Sequence, residues 1–119
     1  MRDEELFLFE KLDVYQRSIK FVERITNLTM DFGRGNGYII DQLHRAALSI
    51  PTNIAEGNGR YHSKERKNFF WIARGSAFEC VPILELCYRK TLLPDEEYQF
   101  LRKELQDISK MLSGLIGRN

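Results

Sequence analysis

The chain has 119 residues, enough for one domain with a single core. Hydrophobic residues at 43% and charged residues at 29% argue against both a disordered and a membrane-embedded chain. Eighteen Lys and Arg face 17 Asp and Glu, so bulk charge selects no partner, but residues 38–75 hold six cations against three carboxylates while each flanking segment holds six against seven.

The opening apolar stretch, Leu6 to Phe9, is flanked by Asp3, Glu4, Glu5 and Glu10. Neither a signal peptide nor a presequence has such flanks, so a cytoplasmic location is expected. Periodicity then predicts four helices, over about 14–30, 38–56, 64–90 and 94–116 of one domain spanning 1–119. In the first, Val14, Phe21, Ile25 and Leu28 share one side, with Asp13 as N-cap, and a glycine-rich loop at 31–37 follows. In the second, Ile39, Leu43, Ala46, Ala47, Ile50 and Ile54 form a core face. Pro51 falls inside that face and predicts a kink, because the apolar phase continues through it; Gly57-Asn58-Gly59 supplies the stop.

The third helix is capped by Ser63, and Phe70, Ala73, Ala77, Cys80, Leu84 and Cys87 form its seam, through a bend expected at Pro82. Phe69, Phe70, Trp71, Ile72 and Ala73 are consecutive and pass right round that helix. A lone bundle covers only one side of each helix, so Phe69, Trp71 and Ile72 are expected at an oligomer interface. The fourth opens with Pro94 at its first position, and Tyr98, Leu101, Leu105, Ile108, Leu112 and Leu115 form the strongest heptad pattern of the chain. Short connections and the lack of period-two alternation predict an all-α, antiparallel up-down-up-down four-helix bundle with a kinked second helix.

Little catalytic chemistry is visible. Two metal ions in such a bundle need paired Glu-x-x-His motifs, and the nearest approach is one Asp41-Gln42-Leu43-His44, so no metal or cofactor is expected. Glu56 and Glu79 are a conceivable acid–base pair, but capping or ion pairing with nearby arginines is the simpler role. Cys80 and Cys87, seven residues apart on one helix, lie about 10 Å apart at 1.5 Å per residue and cannot bridge. Binding is better supported. Lys64, Lys67, Trp71 and Arg74 fall on one stripe of the third helix, with Arg60, Arg66 and, on the second helix, Arg45 as supporting cations. Cations neutralise phosphates and an indole among them can stack on an unpaired base, which suits nucleic acid.

The run Ser49-Ile50-Pro51-Thr52-Asn53-Ile54-Ala55-Glu56-Gly57-Asn58-Gly59-Arg60, with Ile72 to Glu79, resembles the bacterial four-helix bundle family encoded in intervening sequences of 23S ribosomal RNA genes, also called S23 ribosomal proteins. Phe9 to Tyr15 and Met111 to Ile116 fit as well. The resemblance implies a cytoplasmic homopentameric ring without enzymatic activity. A related branch, the accessory variability proteins of diversity-generating retroelements, is strongly basic and binds a reverse transcriptase and its template RNA; this chain departs from it with a net charge of +1. The resemblance also implies structural roles for Pro51, Asn53, Glu56 and Gly57, with a buried amide and carboxylate fixing the kinked helix against its neighbour. The expected function is therefore a non-enzymatic homo-oligomer that binds RNA or an RNA–protein complex, the alternative being a protein–protein scaffold with no nucleic-acid role.

Overall fold

The computed structural model describes residues 1–118; Asn119, the last residue of the expected domain, lies outside them. Four helices, α1 (Asp13–Thr29), α2 (Gly37–Asn58), α3 (Ser63–Arg89) and α4 (Asp95–Ile116), follow two short 3-10 turns at Asp3–Glu5 and Leu8–Lys11, and there is no strand among the described residues. Their order and direction follow from side-chain contacts. Arg17 and Arg24 of α1 reach Glu104 and Glu97 of α4, Ser49 of α2 meets Ser76 of α3, and Arg74 of α3 meets Ser113 of α4. From Arg17 to Arg24 the α4 partner falls from 104 to 97. Gly57 of α2 meets Phe70 of α3 where Ser49 meets Ser76, and Tyr88 of α3 stacks on Tyr98 of α4 where Arg74 meets Ser113, so in every case one number rises as the other falls. The helices alternate in direction, each packs on its neighbours in sequence, and α1 closes the square against α4.

The predicted seams are the core. Phe21 and Ile25 of α1, Leu43, Ile50 and Ile54 of α2, Leu84 and Cys87 of α3, and Leu101, Leu105, Ile108 and Leu112 of α4 are all buried. Between α2 and α3 the seam narrows to Ala46, Ala47, Ala73 and Ala77, which lets these two helices share the most extensive packing in the bundle. Both α2 and α3 remain continuous through Pro51 and Pro82. Burial of the apolar face on either side of each proline outweighs one lost backbone hydrogen bond.

The helix starts need correction. Asp13 and Ser63 are the first helical residues and not N-caps; Leu12 and His62 hold the cap positions, without a side-chain cap bond, and Asp13 serves α1 through its charge in the first turn. Pro94 is the N-cap of α4 and Asp95 its first residue. Gly57 does not end α2, which runs on to Asn58. It is buried where α2 meets α3, and a Cβ there would stand 2.8 Å from Cε1 of Phe70 and 2.9 Å from Cβ of Phe69. Close packing, and not helix termination, is what requires glycine at this position. No helix among the described residues is long and apolar enough to cross a membrane.

Candidate nucleic-acid interface

The first three turns of α3 carry the cationic stripe. Lys64 and Lys67, with Glu65, Asn68 and Trp71, line an open hollow of about 730 Å³. Lys64 is exposed and Lys67 half-buried, and neither is ion-paired among the described residues. Their ammonium groups are therefore available to an anion. The indole of Trp71 is 53% exposed beside them, and Asn68 adds an amide.

The other expected cations are more committed. Arg74 lies with its guanidinium carbon 5.6 Å from the Trp71 ring centroid and 4.5 Å from that of Phe78, and its Nε donates to Ser113 Oγ at 2.9 Å. That fixes one charge at the end of the stripe. Arg60 sits 4.8 Å over the Phe69 ring and within 3.4 Å of Glu56 and 3.9 Å of Glu65. Arg66 donates to the backbone carbonyls of Arg60 and Tyr61, at 3.2 and 2.8 Å, and so fastens the α2–α3 turn. Arg45 is exposed but stands apart. Ser49 meets Ser76, so Arg45 lies level with about residue 80 of α3, on the order of 20 Å along the bundle from Lys67.

The girdle at 69–73 divides between core and surface. Phe70 and Ala73 are buried and Phe69 is partly covered, whereas Trp71 and Ile72 are 53% and 46% exposed. Phe78, 53% exposed, and Leu86 extend this apolar surface along α3, and Leu48 lies exposed on α2. Phe78 and Leu86 were not singled out in the sequence, although the heptad steps 71–78 and 72–79–86 reveal them.

Asn53 donates to the Ser49 carbonyl and hydroxyl at 2.8 and 2.9 Å, and Ser49 Oγ lies 2.7 Å from Ser76 Oγ. This half-buried relay ties the helix turn after Pro51 to α3, the role expected of the amide. Glu56 departs from the buried position that the resemblance implies, for its carboxylate is exposed, but it takes the simpler role expected of it and pairs one turn on with Arg60. A charged group so close to the open end of the bundle is cheaper in water than in the core. Glu79 lies about 13 Å further along the bundle than Glu56, judged from the α2–α3 pairing, so the two carboxylates do not form an acid–base pair.

His44 Nε2 is 2.7 Å from Thr29 Oγ1, and His62 stands edge-on to Tyr61. Among the described residues no three His, Cys, Asp or Glu side chains converge as metal ligands would. Cys80 and Cys87 are buried free thiols. Burial, with the neighbouring Glu79 charge, pushes the Cys80 thiol up to about 12, which keeps it protonated and unreactive.

No curated protein matches the sequence. A solved structure from Bacteroides thetaiotaomicron, described as a protein of unknown function from the S23 ribosomal protein family, is similar with a TM-score of 0.81 and 27% identity, over 88% of this chain and 99% of that one. Residues 10–114 match the family of 23S rRNA-intervening sequence proteins, and the chain belongs to that family.

Proposed function

We propose that this protein is a non-enzymatic, cytoplasmic homo-oligomer, with five copies expected from the family resemblance, that binds RNA or an RNA–protein complex such as a reverse transcriptase with its template. The observation that carries this reading is the hollow in which Lys64 and Lys67, with no carboxylate partner among the described residues, stand beside the exposed Trp71 and Asn68. Ammonium groups meet phosphates, and the indole offers a face to a base or to a neighbouring subunit. Arg74 adds a pre-positioned charge. The family name associates these proteins with 23S rRNA, which is why RNA is the nucleic acid chosen. In a ring every hollow is repeated, and contacts that are weak singly sum by avidity.

The apolar surface of Trp71, Ile72 and Phe78 supports the oligomeric part of the reading and equally favours a second one, a protein–protein scaffold without nucleic acid. Salt dependence decides between them. Binding of a labelled single-stranded RNA is expected to fall steeply with salt, and Lys64→Glu with Lys67→Glu to flatten the slope of log K against log salt by about 1.4, two phosphate contacts at roughly 0.7 each. RNA retention that ignores both salt and these substitutions, or no retention at low salt, leaves the scaffold.

A further inference from the structure

The segment before α1 folds against α1 and α2 but leaves Phe7 and Leu8 exposed to water. Phe9 packs edge-on against Tyr15 with ring centroids 5.0 Å apart, Phe7 stacks on Phe9 at 5.7 Å, and the Phe7 amide donates to Glu10 Oε1 at 2.9 Å. Gln16 Nε2 holds the Glu10 carbonyl at 2.6 Å. The result is a fixed peg whose tip, Phe7 and Leu8, is 70% and 73% exposed. Asp3, Glu4 and Glu5 precede that tip, held only by exposed pairs with Arg2 and Lys11, which contribute little and exchange readily.

On the opposite side of the bundle, between α3 and α4, runs an open groove of about 650 Å³ with an apolar floor of Phe78, Val81, Pro82 and Leu105 and with Arg74 and Lys110 at its edges. It complements the peg in both respects: a floor for two large apolar side chains, and cations for the carboxylates beside them. The peg packs on α1 and α2, so it cannot enter the groove of its own chain. A second copy can supply it.

We propose that Phe7 and Leu8 of one copy insert into the α3–α4 groove of the next, with Asp3, Glu4 and Glu5 beside the Lys110 and Arg74 edges. Peg and groove are different surfaces, so the contact is head-to-tail, the kind that closes into a ring or extends into a filament. Phe78 belongs both to the groove and to the exposed apolar surface of α3, which makes the contact continuous with the surface already assigned to assembly. The peg tip, Phe7 and Leu8, lies just before residue 10, where the family match begins.

This inference rests on the homo-oligomeric reading, and the test separates the two. Leu8→Cys and Gln106→Cys are made in separate full-length chains, mixed and oxidised; Gln106 lines the groove, and the native thiols are buried. Covalent Leu8→Cys/Gln106→Cys dimers are expected at least about tenfold above either variant oxidised alone. Phe7→Ser with Leu8→Ser, at positions too exposed to affect folding, is expected to raise the concentration needed for half-assembly by about tenfold or more, since anchors of this size dominate an interface. A wild-type mass above one subunit, with no cross-link enrichment and unchanged assembly of the serine variant, overturns the peg contact and leaves the oligomer, the groove then belonging to another occupant. A wild-type mass of one subunit at micromolar concentration overturns both.

Discussion

Gly57 and Phe70 are in contact across the α2–α3 crossing so closely that a β-carbon on the glycine would stand 2.8 Å from the phenyl Cε1. Phe70 is in the core and Phe69 is pinned between that crossing and Arg60, so neither ring has free space to enter. Gly57→Ala is therefore expected to destabilise the fold by about 1–3 kcal/mol, the usual range for overpacking. Gly114, on the open face of α4 with nothing near its missing β-carbon, gives the opposite sign. Gly114→Ala is expected to stabilise by about 0.5–1 kcal/mol through helix propensity. Urea midpoints for the two variants check both, and equal shifts would refute the packing argument.

Thr91 has φ +59°, the one left-handed non-glycine residue in the described chain. It follows the C-cap Lys90 of α3, and the Leu92 amide bonds the Cys87 carbonyl at 2.9 Å while the Thr91 amide bonds that of Tyr88 at 3.0 Å. That is the Schellman arrangement, which favours glycine at the Thr91 position. A β-branched residue there costs on the order of 1–3 kcal/mol, partly offset by the roughly 0.5–1 kcal/mol of extra backbone entropy a glycine loses on folding. Thr91→Gly is expected to stabilise by about 1 kcal/mol, seen as a rise of a few degrees in Tm, roughly the shift that 1 kcal/mol gives a domain of this size.

Arg17 bridges α1 to α4 by donating to Glu104 at 2.5 Å and to Asp107 at 2.9 Å. The Asp107 carboxylate also accepts from Lys103 at 2.6 Å. The Lys103 ammonium first, and the Arg17 guanidinium second, hold the Asp107 carboxyl below its ordinary value of 3.8. In the folded state it binds a proton less readily than in the unfolded chain, so its contribution is complete above the unfolded value and disappears as pH falls through the lower folded one. Stability of the wild type is expected to drop more steeply than that of Asp107→Asn below about pH 4, while near neutrality the variant is the weaker of the two. Urea denaturation across that range checks the crossover in slope.

Periodicity was enough to find all four helices and nearly all of the core, because the seams at Ile50 and Ile54, Cys80 and Leu84, and Leu105 to Leu112 bury what their spacing says they bury. What it could not supply is relative position. Lys64 and Lys67 are legible as a pair because they share one helix face, whereas the height of Arg45 in the bundle is set by the pairing of Ser49 with Ser76, which no spacing within one helix contains. Glu56 had a carboxylate expected inside and found outside, since its exposure depends on where α2 ends relative to the turn. Helix starts slipped by one residue at Asp13 and Ser63 because the cap positions are occupied by Leu12 and His62, which carry no capping signature.

Assembly and RNA binding are expected to come apart under two different substitutions. Ile72 is half-exposed on α3, outside the lysine hollow, and an aspartate there places a charge in the apolar surface that a neighbouring copy would have to desolvate. Ile72→Asp should reduce the mass to fewer subunits without loss of helicity, since the position is not in the core. Each released subunit keeps Lys64, Lys67 and Trp71, so RNA binding by a single hollow survives while avidity is lost. The apparent affinity then falls by about 10²-fold or more, with the residual binding still sensitive to salt. The Lys64→Glu and Lys67→Glu pair should do the reverse, leaving the mass by light scattering unchanged and flattening the salt slope. If Ile72→Asp reduces the mass and RNA affinity does not change, the hollows do not act jointly, and the repetition of cations around a ring has no part in binding.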